Sequence, residues 1–451
     1  MKTSFLIRNA LVVNEGRCFH GAVFVKDGFI AEVMEGRVPP GFSSQDDYTE
    51  IDAGGKYLFP GIIDDQVHFR DPGLPHKGDL LTESRAAVAG GVTSIMDMPN
   101  TNPKAISLDI LEEKFKLAKD KSLTNYSFFL GASNDNMGEI IRADPSKICG
   151  LKVFMGASTG NMLVDDPETL DEIFEKSPLL IAVHAEEESI IQENLRKFKM
   201  QYGEEIPVSA HPLIRSGEAC FVSSKKAVDL ARKHGARLHI LHLSTLRELD
   251  LLENDKPLEE KKITAEVCVH HLWFDESDYR ELGSLIKWNP AIKTEKDKLG
   301  LFQGLLNGKI DIIATDHAPH TLEEKQNPYN SCPSGAPFIQ HCLVAMLGFY
   351  HLGKISLEMM VEKMCHAPAI LYRIKKRGFI RKGYFADLVL VDLDNPWTVE
   401  KENILYKCGW SPLEGVTFKS RVTHTWVNGN LVFKEGNIEE SFKGMRLEFN
   451  Y

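Results

Sequence analysis

The stretch Asp64-Asp65-Gln66-Val67-His68-Phe69-Arg70-Asp71-Pro72-Gly73 closes the first of a series of short apolar runs and decides how the rest of the chain is read. Residues two apart in a strand share a face, so Gln66 and His68 look to one side while Val67 packs on the other. A metal-ligating imidazole and a guanidinium suited to a carboxylate therefore meet at one strand's carboxyl end. Outward from this point the same rhythm repeats. Strands are expected over 61–68, 93–98, 126–130, 150–155, 180–184, 237–242, 264–268 and 311–316, and helix-period segments over 82–89, 108–118, 167–176, 189–201, 217–234 and 296–306. Alternating strands and helices imply parallel strands joined by right-handed crossovers, and eight such units imply an α/β fold of the (β/α)8 TIM-like barrel type over residues 58–377.

The flanks read differently. Residues 5–57 carry short alternating runs such as Ala22-Val23-Phe24-Val25, broken by Lys26-Asp27-Gly28 and Ala53-Gly54-Gly55; residues 378–432 return to strand character in Asp387-Leu388-Val389-Leu390-Val391 and Thr423-His424-Thr425-Trp426-Val427, before the turn Asn428-Gly429. Neither flank is long enough for a comfortable core of its own, so residues 1–57 and 378–451 are expected to assemble one small composite β-sandwich domain. The chain shows no internal repeat and no low-complexity tract.

Composition sets limits on function. With 451 residues, 43% hydrophobic and 26% charged, the chain can bury a large core and stay soluble. A formal net charge of −11 argues against a general nucleic-acid surface, which needs clustered Lys and Arg. The start lacks a sustained apolar segment and no later stretch is long enough to span a bilayer, so a soluble cytoplasmic protein without membrane or nucleic-acid partners is expected. The eight cysteines have no Cys-x-x-Cys pairing, suggest neither a thiolate zinc site nor a disulfide framework, and read as small core residues.

Active sites of such barrels form at the carboxyl ends of the strands. His68, Lys152, His184, His242 and Asp316 all fall at or near such ends. Any one strand-end histidine has a plain structural explanation, but coordinating residue types at five separate strand ends are harder to dismiss. Imidazole and carboxylate donors suit zinc. Lys152, in Gly150-Leu151-Lys152-Val153-Phe154-Met155, is the odd member: it either pairs with a buried carboxylate or, with its pKa lowered by burial, reacts with carbon dioxide to give an anionic carbamate. Arg70 has an equally plain alternative, an ion pair with Asp71 at the surface. His270-His271, His234 and His239 read as structural.

These motifs, taken in order, resemble the amidohydrolase superfamily and most of all its dihydroorotase branch. Phe59-Pro60-Gly61 with His68 and Arg70, Asp97-Met98-Pro99-Asn100-Thr101, Gly150 to Met155, Val183-His184-Ala185-Glu186, Leu241-His242-Leu243-Ser244-Thr245, Trp288-Asn289-Pro290 and Ala314-Thr315-Asp316-His317-Ala318-Pro319-His320 carry the resemblance over almost the whole chain. It implies a zinc-dependent enzyme that interconverts dihydroorotate and N-carbamoyl-aspartate in pyrimidine biosynthesis, acting on a small anionic substrate. It further implies a metal set of His68, Lys152, His184, His242 and Asp316, with Lys152 carboxylated and bridging, and with Asp316 also the catalytic acid/base. Arg70, Asn100, Asn289 and His320 would hold the substrate, backbone groups near Ser334 and Gly335 would complete the pocket, and the loop 156–166 would form a lid. One position departs from the pattern: Gln66 stands where the first histidine of a His-x-His motif is expected. A carboxamide is a poorer zinc ligand than imidazole, so one firmly held zinc and a second easily lost are expected. Allantoinases and dihydropyrimidinases share the metal ligands and remain alternatives, as does a non-catalytic dihydroorotase-like subunit, motivated by Gln66. A simple binding barrel would make the five metal-type residues incidental. A homodimer is left open.

Overall fold

The computed structural model describes residues 4–38, 47–156 and 162–451. Its centre is a barrel of eight parallel strands: β1 (Ile62–Val67), β2 (Val92–Asp97), β3 (Asn125–Phe128, resuming at Leu130–Gly131), β4 (Leu151–Phe154), β5 (Ile181–His184), β6 (Leu238–Ile240), β7 (Ile263–Cys268) and β8 (Ile312–Ala314). β1, β2 and β3 pair in parallel, as do the strands from Leu130–Gly131 through β4 to β8. The break in β3 falls at Phe129, whose N–H donates to the Asp97 carbonyl at 3.1 Å. The ring closes where Val67 bridges His317 and the His68 N–H donates to the His317 carbonyl at 2.7 Å. Helices cover the outer faces of these strands, which explains why each reads as a near-continuous apolar run.

The helices start where local chemistry dictates. Asp79 caps Leu80–Ala89 and shares a capping box with Thr82, two residues earlier than the hydrophobic period alone indicates. Ser107 caps Leu108–Lys121, whose last turn carries Lys119 and Lys121. Ser216 caps Gly217–His234, and Gly235 ends it in the left-handed region at φ 66°.

Both termini contribute to one nine-stranded sheet. Leu388–Asp392 pairs antiparallel with Tyr57–Pro60, which joins the N-terminal strands to the C-terminal ones. The sheet curls until its limbs face each other: the rings of Phe5 and Trp426 lie 6.5 Å apart, and the Ile30 N–H donates to the Tyr384 carbonyl at 2.8 Å. The core between the limbs is built from Ile7, Val12, Val23, Val25, Leu58, Leu388 and Leu390. Two parts of the C-terminal segment pack on the barrel instead. The Trp410 indole N–H donates to the His320 carbonyl at 2.8 Å, and the tail pairs with β3 through Leu447 N–H to the Tyr126 carbonyl at 2.9 Å. Of the cysteines, Cys18 is exposed and Cys408 half-buried, whereas the other six are buried as expected. Among the described residues no helix is long and apolar enough to cross a membrane.

Candidate active site

A cavity of about 300 Å³ opens at the carboxyl ends of the strands, and every site residue expected from sequence lines it. Gln66 reaches it from β1 and His68 from just past it, Lys152 from β4, His184 from β5, His242 from just past β6, and Asp316 from just past β8. Asn100, Asn289, His320, Ser334 and Gly335 complete the rim with Arg70. Three of these residues hold left-handed backbone without being glycine: Arg70 at φ 66°, His242 at 39° and Asp316 at 45°. Such conformations cost energy and persist only where the surroundings impose them, which is common at functional sites.

At one end the donors converge. The His184 Nε2–H donates to Glu186 Oε2 at 2.8 Å, leaving Nδ1 as the lone-pair nitrogen, and that nitrogen faces His242 Nε2 at 2.9 Å. Burial lowers both imidazole pKa values, only partly offset at His184 by Glu186, so both rings are neutral. The Nδ1 atom of His242 is buried with no partner among the described residues. Glu186 is the supporting member: burial raises its carboxyl, but Arg215 and His184 outweigh burial and hold it ionised. Orienting a ligating imidazole through its other nitrogen is how ligand geometry is fixed at metal centres.

Across the cavity, His68 Nδ1–H donates to Asn100 Oδ1 at 2.8 Å and turns Nε2 toward Asp316 Oδ1 at 3.1 Å. Asn100 therefore spends its carbonyl on His68, and its amide nitrogen is the group left for a ligand. Gln66 Nε2 donates to the same Asp316 oxygen at 3.3 Å. Lys152 has no carboxylate within ion-pair distance among the described residues; its ammonium lies over the Phe154 ring at 4.6 Å. Burial lowers its pKa to about 7, against the pull of Asp316 and Glu266. The paired-lysine reading does not hold, and an amine that is half neutral near physiological pH stands among the donors. Two neutral imidazoles, one with an orphaned ring nitrogen, a third facing a carboxylate, and an amine that is half neutral near physiological pH together fit a metal centre.

The opposite end is cationic. Arg70 is buried, not paired with Asp71, which instead bonds Lys121 at 2.8 Å. Arg70 Nε donates to the Pro319 carbonyl at 3.0 Å, and Nη2 lies 3.0 Å from His320 Nε2. Burial lowers the guanidinium only to about 10, so it keeps its charge. Lys77 Nζ sits 3.0 Å from His320 Nδ1, and burial together with Arg70 keeps that imidazole neutral. Asn289 Oδ1 is buried and unpartnered among the described residues. One expectation needs correction: the Gly335 N–H already donates to the Lys287 carbonyl at 2.8 Å, so it is not free for substrate. Gly335 is there for shape. Its φ is 121°, and a Cβ would meet the Ala318 carbonyl oxygen at 2.6 Å. The buried Lys325 holds the same loop through the carbonyls of Pro333 and Gly335 at 3.0 and 2.9 Å.

The proposed lid falls partly outside the description: residues 157–161 of the loop lie outside the described residues, while Val164 returns to bond the Phe154 carbonyl at 2.9 Å. His239 is structural as read, with Nδ1 on Thr264 Oγ1 at 2.9 Å and Nε2 on Glu266 Oε2 at 3.2 Å. Sequence reasoning missed Glu186, Arg215, Lys77 and Glu266. Glu186 had a signal, its i+2 spacing from His184; the others come from segments distant in sequence and had none.

A model of the amidohydrolase family matches residues 57–432. A dihydroorotase of Pyrococcus abyssi is 33% identical over 434 residues, covering 96% of each chain. A dihydroorotase of Methanothermobacter thermautotrophicus is 31% identical over 420 residues, covering 92% of this chain and 91% of that one. Among solved structures, the L-hydantoinase (dihydropyrimidinase) from Arthrobacter aurescens superposes with a TM-score of 0.92 at 27% identity, covering 99% of this chain and 100% of the other. The barrel, the strand-end residues and these similarities agree, and the chain belongs to the amidohydrolase family.

Proposed function

We propose that the protein is a dihydroorotase, catalysing the reversible cyclisation of N-carbamoyl-L-aspartate to L-dihydroorotate. The observation that carries this choice is the buried Arg70 beside His320, at the end of the cavity away from the His184–His242 pair. A planar guanidinium offers two parallel N–H groups to a carboxylate, and a charge buried this deeply calls for an anion. The rings taken by hydantoinases, dihydropyrimidinases and allantoinases lack that carboxylate. The dihydroorotases related to this chain support the same choice.

His184, His242, His68, Asp316 and a carboxylated Lys152 would hold the metal, with zinc the ion their donor types suit best. When bound, zinc supplies Lewis acidity and water of pKa about 7. The chain's own residues supply the rest. Arg70 and His320 hold the substrate carboxylate, and the unpartnered Asn289 Oδ1 accepts a ring N–H. Together these contacts fix the scissile carbonyl toward Asp316. In hydrolysis the N–C bond of the ring amide breaks as water adds to the carbonyl carbon, and Asp316 takes a proton from the water and delivers it to the departing nitrogen. Cyclisation runs the same proton path backwards. The Trp288 indole donates to the Asp316 carbonyl at 3.3 Å and helps to hold the strained backbone that aims this carboxylate.

A substrate panel tests the reading. The zinc-loaded protein should interconvert dihydroorotate and N-carbamoyl-aspartate, with dihydrouracil, hydantoin and allantoin poor by comparison. Preference for an uncharged ring would move the assignment to the dihydropyrimidinase side, and no turnover of any ring would favour a non-catalytic subunit.

A further inference from the structure

The strand β7 ends in Cys268, and the next turn, Val269–Trp273, carries His270 and His271. We propose that Cys268, His270 and His271 form a second, buried site for a zinc-class divalent ion, separate from the His184–His242 centre. One donor atom from each of the three lies within 4.8 Å of the others, and all three side chains are buried. One ring nitrogen of His270 is turned toward the Thr315 backbone carbonyl without a well-formed hydrogen bond, the other has no partner among the described residues, and Nδ1 of His271 has none either. His271 Nε2–H donates to the Pro290 carbonyl at 3.2 Å, which leaves Nδ1 as its lone-pair nitrogen. That is the arrangement by which a ligating imidazole is oriented through its other nitrogen. His270 is clamped by stacking on Trp288, with ring centroids 4.0 Å apart and planes 5° apart.

Buried polar groups normally find partners, so two lone-pair imidazole nitrogens left orphaned beside a thiol demand an explanation. A second buried cluster serves as the contrast. Asp65, His239 and Glu266 are equally close together, but both His239 nitrogens are engaged and Tyr372 donates to Asp65 Oδ2 at 2.9 Å. That cluster needs no ion to satisfy its histidine. The donor chemistry at Cys268 selects a soft or borderline cation, because one thiolate and two imidazoles suit zinc and offer nothing to magnesium or calcium. A fourth donor is at hand. Gln66 Oε1 stands 3.7 Å from Cys268 Sγ, close to the ~3.6 Å edge expected between sulfur and oxygen on tetrahedral zinc. The carboxamide that departs from the His-x-His pattern thus lies between the cavity and this cluster. The Cys-x-His-His spacing matches no common zinc motif, which is why it reads as core in the sequence.

The test is zinc-edge X-ray absorption on the full-length protein loaded with zinc, with metal content measured on the same sample. A sulfur neighbour at about 2.3 Å is expected, together with a thiolate-to-metal charge-transfer band after cobalt substitution. Cys268→Ser should remove both signals and about one ion per chain, as should His270→Asn, while the other seven cysteines make no difference. Only nitrogen and oxygen neighbours in the metal-loaded wild-type protein would overturn the proposal without reliance on any variant folding. Survival of the sulfur signal in Cys268→Ser would also overturn it. Neither result depends on turnover of dihydroorotate, so this proposal and the functional one fail separately.

Discussion

Arg70→Met tests the anion-binding end of the cavity most directly. The substitution keeps much of the side chain's length and bulk but removes the charge and both N–H groups. Arg70 is only 7% exposed and faces His320, which is neutral, while the nearby Lys77 is already paired with Glu324 at 2.8 Å and is a poor replacement for it. Truncating one partner of a buried, hydrogen-bonded charge pair costs about 2–5 kcal/mol, much of it from stranding the other charge. For dihydroorotate this corresponds to a fall in kcat/KM of roughly 30- to 5,000-fold. Dihydrouracil has the same ring without the carboxylate, so its slow turnover should change little. The control matters because Arg70 Nε also bonds the Pro319 carbonyl at 3.0 Å, and a collapse of that loop would slow both substrates alike. Steady-state kinetics on the two substrates, with metal content measured alongside, decide the matter. An equal loss on both, or normal turnover of dihydroorotate, would refute the assignment of Arg70.

Lys152→Ala should lose metal and activity together, by more than the ~10²-fold that losing an outer-shell partner alone can cost, and a short carboxylic acid should restore part of both; full metal content in this variant would exclude a bridging role. Gln66→His should convert a chelator-labile ion at the His68–Asp316 position into a resistant one, seen as about one more zinc retained per chain after brief chelation. An unchanged labile fraction would show that the carboxamide costs the site nothing. The His239 cluster predicts a pH dependence of folding: burial lowers this imidazole, but Asp65 and Glu266 outweigh it and raise its pKa to about 9. The folded state therefore binds the proton more tightly than the unfolded chain, where histidine titrates near 6.5. Its stabilisation is complete below pH 6.5 and is lost as pH rises toward 9, by about 3 kcal/mol at most. Urea unfolding at pH 6.5 and 9.5 should show this loss reduced in His239→Asn; an equal loss in both proteins would sink the argument.

The barrel is legible in the sequence because parallel strands buried on both faces cannot avoid being apolar, and their spacing leaves room only for helices. The helix Gly217–His234 matches its expected bounds because a serine cap and a C-terminal glycine mark both ends. Leu80–Ala89 begins earlier than its period indicates because Asp79 and Thr82, not the apolar residues, set its start. Short elements such as Val269–Trp273 and Leu322–Lys325 were not legible, since one or two turns are too brief to show a period. The tail that pairs with β3 escaped for a different reason. Its partner lies more than 300 residues away, and nothing in Leu447 or Phe449 separates a strand of the terminal sheet from one on the barrel.

The site divides in the same way, and the division bears on Gln66. Residues that occupy strand ends were found because strand parity and the barrel's geometry point them inward. Residues that support them, Arg215 and Glu266, come from other strands or loops and become visible only in three dimensions. Glu266 binds the His242 backbone N–H at 3.0 Å and lies 3.9 Å from Cys268 Sγ, while Cys268 lies 3.7 Å from Gln66 Oε1. A change at position 66 is therefore felt along a connected buried set that reaches His242 on one side and His270 on the other. Read from sequence alone, Gln66 is a missing ligand. In the structure its two ends do different things: the amide nitrogen donates to Asp316, and the carbonyl oxygen faces a thiol. An imidazole could not be certain to serve both neighbours, because a ligating histidine commits one nitrogen to the metal and leaves a single N–H for everything else. The carboxamide at 66 is thus suited to sit between a carboxylate on the cavity side and a thiol beneath it, and the two metal measurements, chelator resistance in Gln66→His and sulfur ligation in the wild type, examine its two ends independently.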